Sequence, residues 1–291
     1  MHKKHVRKHW LKLGCTILKL YFFQKEKTSE LIAESYNEIA KTYDATWTNH
    51  MQHLSEELIN HLNPVTGADV LDVTCGTGFV TGKLAKSTKG KVVGVDISMK
   101  MIDVAKSNYG FQCEFIKSDV LDYLKKCPSE SFDVITCAWG IGYSYPYRIL
   151  KEISRILRPN GKVAIIDNSL FTLKEVLLSA FFTILEQPDA LSHVMKVRFI
   201  PSEGFLRFLF RCSRIRVLES WSGSKTYYAS NGKFAVDRLV RTGAAAGYEK
   251  YIKSCFRKAI ADRFSEIFEQ RYKQKKGVPI THRYIAVIGC K

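Results

Sequence analysis

Residues 28–62 carry apolar side chains at helical spacing: Leu31-Ile32, Ile39, Tyr43, Leu54 and Leu58-Ile59 recur between polar residues, and Ser29-Glu30 opens the run. Asn63-Pro64-Val65-Thr66-Gly67 breaks the pattern. From there short apolar runs alternate with helical stretches. The runs cover residues 69–73, 91–95, 114–116, 132–138 and 162–166, and the helical stretches between them include 78–86, 99–107 and 147–157. Near-continuous apolar strands separated by helices predict an α/β fold with a parallel sheet covered on both faces.

The rhythm breaks after residue 168. Residues 170–185 are strongly apolar and helical, 207–216 are dense in arginine and aromatics, and 221–228 look like strand or loop. A helix at 234–242, a strand at 249–255 and a closing strand at 283–290 follow. Four segments are therefore expected: a basic amphipathic piece, 1–27; a core, 28–168; a cap insertion, 169–231; and 232–291 completing the sheet. Open α/β sheets bind ligands at the carboxyl ends of their strands, so the insertion is expected to form a lid and acceptor pocket there.

Composition changes the picture in one respect. Lys and Arg number 45 against 28 Asp and Glu, a net charge of +17, which draws polyanions such as nucleic acid, an anionic membrane or acidic substrates. A soluble protein from a basic proteome carries the same excess. Residues 10–23, WLKLGCTILKLYFF, are interrupted by Lys12 and Lys19 and followed by QKEK, without the small residues of a signal-peptide cleavage site. Two readings stand: a helix packed on the domain, or a basic amphipathic segment lying on an anionic membrane surface. The eight cysteines are scattered and form no C-x-x-C pair, which favours a reducing, cytoplasmic setting over a disulfide framework or a zinc site.

Candidate chemistry gathers at strand ends. Val70-Leu71-Asp72-Val73-Thr74-Cys75-Gly76-Thr77-Gly78 puts a carboxylate before a glycine turn that lets backbone approach a ligand. A carboxylate there disfavours a pyrophosphate and suits a ligand bearing an ammonium group. About twenty residues on, Asp96 ends the second strand, where an acid grips ribose hydroxyls. Asp119 ends the third, where it can accept from an adenine amino group. Each alone is more often a solvated turn or cap residue; the three in register with the turn point to a nucleoside-bearing ligand.

V-L-D-V-T-C-G-T-G at 70–78, D-I-S-M-K-M at 96–101 and R-I-L-R-P-N-G-K at 155–162 resemble class I S-adenosylmethionine-dependent methyltransferases, most closely the ubiquinone/menaquinone-biosynthesis group. S-Y-N-E-I-A-K-T-Y-D at 35–44 resembles that group's leading helix, and Tyr228-Ala229-Ser230, Phe234 and 243–248 resemble its tail. The resemblance covers 30–168 well and 225–291 loosely, and it implies a doubly wound, mostly parallel, seven-stranded α/β sheet with a helical cap insertion. It implies that Asp72, Thr74, Gly76 and Gly78 hold the methionine end of S-adenosyl-L-methionine and that Asp96 holds the ribose. Ile97 and Met101 would flank the adenine, Asp119 and Val120 meet its edge, Ala138 join the site, and Tyr36 and Tyr43 close over the cofactor. The family often has glycine or alanine where Thr74 stands.

The acceptor is expected to be a small or lipid-like molecule. Carbon and hydroxyl nucleophiles call for a base; Trp139, Tyr143, Tyr145, His50 and His193 are residues placed to face the acceptor, with Tyr143 and His193 as catalytic candidates. An RNA acceptor is the first alternative, weakened because Ala138-Trp139-Gly140-Ile141 lacks the N/D-P-P-Y/F turn of amino-group nucleic-acid enzymes. A non-catalytic binding module is the second, opposed by the intact Asp72, Gly76, Gly78, Asp96 and Asp119 set.

Overall fold

The structure, a computed structural model, describes residues 3–243 and 248–291. The expected helix end at 243–248 falls largely outside them. Two compact units form: one of Tyr36–Thr172, Val197–Gly223 and Arg283–Lys291, the other of residues up to Ser35, Leu173–Lys196 and Ser224–His282.

A seven-stranded sheet lies in the first unit, except for 224–229 and 278–282, which belong to the second. Its strands are β1 (Val70–Val73), β2 (Val92–Asp96), β3 (Glu114–Lys117), β4 (Phe132–Ala138), β5 (Leu157–Asn168), β6 (Arg216–Ala229) and β7 (Val278–Cys290), in the order β3-β2-β1-β4-β5-β7-β6. β1 to β5 run parallel, and β7 runs antiparallel to β5, pairing Lys162 with Cys290 and Asn168 with Tyr284. Such an order reverses between β1 and β4, and that switch point is where open α/β sheets bind ligands. Val73 is level with Val95 and Cys137, so the tips of β2, β1 and β4 share one edge.

Both faces are covered. Leu71, Val93, Ile135, Ile153 and Phe210 belong to one buried cluster, and Met51, Leu58, Leu84, Ile102 and Ala164 to the other. The Pro146–Ile156 helix shows the local logic: Pro opens it at the position that needs no N–H, and Ile149, Leu150, Ile153 and Ile156 make one buried stripe. At the far, amino ends of the strands Arg158 bridges Asp133 (2.7 Å) and Asp69 (2.9 Å), a structural pairing remote from the ligand edge.

In the second unit Leu173, Ala235, Leu239, Phe268, Val278 and Ile280 form the core. The Lys3–Phe23 helix packs on the Lys174–Glu186 helix, with Leu13 buried and Trp10 5.3 Å from Phe181.

Three expectations need correction. Residues 169–231 are not one cap: 173–196 group with the second unit and 197–223 with the first, and 216–229 are a strand of the sheet. Residues 232–291 complete the sheet only through β7; the helices Gly232–Arg241 and Arg257–Tyr272 build the second unit. Residues 249–255 are no strand, since a helical turn (Tyr248–Tyr251) and a 3-10 turn (Ser254–Phe256) occupy them.

Candidate functional site

Beyond β1 the backbone turns through three left-handed residues, Thr74 (φ 64°), Gly76 (φ 54°) and Gly78 (φ 85°). The two glycines serve different ends. A Cβ on Gly76 would meet nothing within 4 Å, so this position faces open space. A Cβ on Gly78 would stand 3.0 Å from ring atoms of Phe115 and Tyr109, so its bareness lets the Phe79–Thr88 helix start close to the sheet. Trp139, at the tip of β4, is also left-handed (φ 65°). Such backbone costs on the order of 1–3 kcal/mol per residue and concentrates at functional sites. Thr74 and Trp139 thus hold strain at two adjacent strand tips.

Asp96 organises the turn. One carboxylate oxygen accepts the Gly76 N–H at 2.9 Å and the other accepts the Ser98 N–H at 2.8 Å. Ser98 caps the Met99–Tyr109 helix, and its hydroxyl donates to Asn37 Oδ1 (2.8 Å). Asp72 is 1% exposed and accepts the hydroxyls of Thr81 (2.6 Å) and Thr136 (2.7 Å). Burial lifts its carboxyl to about 6, against the pull of those two hydroxyls. Asp119 caps the Val120–Lys126 helix, accepting the Asp122 N–H, so its first task is structural.

One cleft gathers Tyr43, Asp72, Thr74, Gly76 and Ala138 with Trp47, Ser55, Phe79 and Trp139. Trp139 donates its indole N–H to Ser55 (3.0 Å) and meets Trp47 edge to face at 5.8 Å. Asp96 adjoins the cleft through Gly76. Gly78, Ile97, Met101, Asp119, Val120 and Tyr36 are not among its lining residues; Met101 and Val120 are buried in the protein core.

Tyr36, Tyr43 and Tyr143 form a cluster, with ring centroids 5.8 Å apart for the first pair and 6.4 Å for Tyr36 and Tyr143. Hydrogen bonds join Tyr36 to both others. Burial, reinforced by the neighbouring phenol and by Asp96, pushes the hydroxyls of Tyr36 and Tyr43 well above their usual range. Both therefore stay protonated near neutrality and act as donors, not bases. His193 lies in the second unit, where Nδ1 meets Ser192 (3.0 Å) and the Lys250 carbonyl (3.1 Å) and Nε2 faces Glu26 (3.5 Å). It is not among the residues lining the cleft. Tyr145 is exposed under the guanidinium of Arg198, 3.9 Å from its ring.

Two carboxylates escaped the sequence reading. Asp44, in the π-helical turn Asp44–Thr48, accepts the hydroxyls of Thr77 (2.5 Å) and Thr48 (2.7 Å) and so fastens that turn to the glycine loop. Asp167 accepts the N–H groups of Gly142 (2.9 Å) and Asn168 (2.7 Å), holding the loop that carries Tyr143. Burial lifts its carboxyl to about 6. Asp44 closes the S-Y-N-E-I-A-K-T-Y-D stretch at 35–44, whose likeness marked the helix and not this carboxylate. Asp167 has a sequence signal: it ends the apolar run Val163-Ala164-Ile165-Ile166, as Asp72 and Asp96 end or nearly end theirs.

The raised carboxyls set an expected pH dependence. A group whose folded pKa is lifted from 3.8 to about 6 binds its proton more tightly folded than unfolded, so stability falls as pH climbs from about 4 to about 6 and levels off above. Each of Asp72 and Asp167 accounts for about 3 kcal/mol of that fall. Asp72→Asn, which can still accept one threonine hydroxyl and donate to the other, is expected to remove about half of it in urea titrations across this window. An unchanged slope would mean that Asp72 is ionised throughout.

The comparisons with known proteins accord with this geometry. A methyltransferase domain model matches residues 70–161, and a model of protein-L-isoaspartate (D-aspartate) O-methyltransferase matches 23–112. The demethylmenaquinone methyltransferase of Chlamydia pneumoniae is 30% identical over 197 residues, 60% of this chain and 83% of that enzyme. That of Lactococcus lactis is 33% identical over 157 residues, 50% of this chain and 61% of its own length, under two thirds. Among solved structures, a candidate methyltransferase of Bacillus halodurans superposes with a TM-score of 0.55 at 19% identity, covering 81% of this chain and 98% of that one. The [4+2]-cyclase SpnF gives 0.58 at 15%, covering 91% and 97%; at such identities the likeness is one of fold. The chain belongs to the class I S-adenosylmethionine-dependent methyltransferases, in their ubiquinone/menaquinone-biosynthesis group.

Proposed function

We propose that this chain transfers a methyl group from S-adenosylmethionine to a small, lipid-like acceptor, in the manner of the demethylmenaquinone methyltransferases it is similar to. The observation that carries the proposal is the Asp96–Gly76 contact at the edge of a cleft into which Gly76 projects no side chain. The bare Gly76 leaves room for a ligand against the backbone. Asp96 has lone pairs left for a ribose diol, and Asp72 is a buried carboxylate at the same strand edge for an ammonium group.

The bound cofactor supplies a methyl group already activated by its sulfonium. The chain's own task is to orient the acceptor and keep water out. The wall of Tyr43, Trp47, Phe79 and Trp139 offers apolar and aromatic surface suited to a flat, apolar acceptor. Tyr43, held protonated and lining the cleft, can donate to an acceptor oxygen, with Tyr36 hydrogen-bonded to it. Tyr143 adjoins them on a loop anchored by Asp167, which suits it to fix the acceptor's oxygen.

Labelled S-adenosylmethionine with a panel of reduced prenylated naphthoquinones and benzoquinones, simple phenols and transfer RNA tests this. Label is expected in the quinol lipids. Label in RNA alone, or calorimetry showing no S-adenosylmethionine binding, would overturn the proposal.

A further inference from the structure

The Lys3–Phe23 helix turns the wrong side outward for a helix that merely packs on a domain. One face is covered: Leu13 is buried, and His9, Thr16 and Leu20, spaced along the same side, are partly covered. The opposite side should be polar by the usual amphipathic rule. Instead Leu11 is 66%, Leu18 59% and Phe22 72% exposed, and Trp10, Ile17 and Tyr21 extend the apolar strip along one edge. At 100° per residue these six sweep a continuous arc that Gly14 and Cys15 fill without adding charge. A strip of this kind is held against water only where something covers it.

The fringe of the strip is cationic. Lys19, exposed, borders Phe22 on the helix surface, and the ammonium of Lys196 lies 4.6 Å from the Tyr21 ring centre. Residues 1–27 contain eight lysines and arginines against the single acid Glu26, in a chain already at +17. Among the described residues no helix is long and apolar enough to cross a membrane. Apolar side chains facing outward, an aromatic pair beside them and lysines at the margin suit a helix lying in the plane of a lipid surface, aliphatic chains down and ammonium groups at the phosphates.

We infer that the outward face of the Lys3–Phe23 helix docks on an anionic lipid surface, with Leu11, Leu18 and Phe22 entering the acyl boundary. Deleting residues 1–27 is a poor test, because Leu13 and Trp10 support the second unit; exposed positions are the ones to change. The full chain is co-sedimented with phosphatidylcholine vesicles with and without a quarter phosphatidylglycerol, at low and high salt. The parent is expected to bind the anionic vesicles, less at high salt. Leu11→Glu/Phe22→Glu is expected to lower the bound fraction roughly tenfold or more. Lys19→Gln/Lys25→Gln is expected to lower it several-fold and to flatten the salt dependence. Both should keep the parent's melting temperature and S-adenosylmethionine affinity; if the glutamates unfold the chain, Leu18→Ser replaces them. Binding by the glutamate variant equal to the parent's, or no vesicle binding by the parent, overturns the inference. So does a parent dimer in light scattering that the glutamates dissolve without any vesicle binding, since the face then belongs to a second copy.

Discussion

Asp96→Ala is expected to lower S-adenosylmethionine affinity about a hundredfold while the chain stays folded. The carboxylate accepts the Gly76 and Ser98 N–H groups, so its loss frees the glycine loop and the start of the Met99–Tyr109 helix together. It also removes the acceptor for a ribose diol. Hydrogen bonds to a charged group are worth about 1.5–3 kcal/mol each, and losing the ligand's share alone gives ten- to a hundredfold. The fold survives because Asp96 sits half-buried at a strand tip, outside the buried hydrophobic clusters that hold the sheet. Asp96→Asn, which keeps one acceptor oxygen, should fall between parent and alanine. Calorimetric titration beside a thermal melt checks both; unchanged affinity in a folded variant would take Asp96 out of the cofactor's contacts.

The second large effect falls on stability. Phe210, on the Glu203–Cys212 helix, is fully buried in the cluster of Leu71, Ile135 and Ile153, and its ring lies 2.8 Å from where a Cβ on Gly289 would stand. Truncation leaves a cavity that close packing cannot collapse, so Phe210→Ala should cost about 3–5 kcal/mol. In a chain of this size that lowers the melting temperature by about 10 °C. Were residues 203–212 part of a lid, as the sequence suggested, the same change would alter acceptor kinetics and spare stability. A melt shifted by less than a few degrees would restore that view.

Why the sheet's first half was legible and its second half was not comes down to burial. The strands expected at 69–73, 91–95, 114–116 and 132–138 lie within a residue or so of β1 to β4, since strands covered on both faces cannot carry polar side chains. β6 is an edge strand, Arg-Val-Leu-Glu-Ser-Trp-Ser-Gly-Ser-Lys-Thr-Tyr-Tyr-Ala, mostly half-exposed, so its sequence shows no apolar run. β5 begins five residues before its apolar run, because Pro159-Asn160-Gly161 reads as a turn yet continues the strand with Asn160 left-handed. In the site, Asp72, Gly76 and Asp96 were legible from spacing along consecutive strands. The contact of Asp44 with Thr77 spans 33 residues and two helical segments, and no local pattern announces it. His193, a plausible base on chemistry alone, spends both ring nitrogens on neighbours in its own unit.

β7 occupies an interior place in the sheet although it is the last strand along the chain. During synthesis β5 and β6 emerge from the ribosome with no strand to join them, and the backbone edge of β5 from Lys162 to Asn168 waits unpaired until residues 284–290 follow. An open edge flanked by Val163, Ile165 and Ile166 is a template for foreign strands. Nascent chains stalled before residue 278 should therefore recruit chaperones and aggregate when released, whereas release after Cys290 lets the edge close within the molecule.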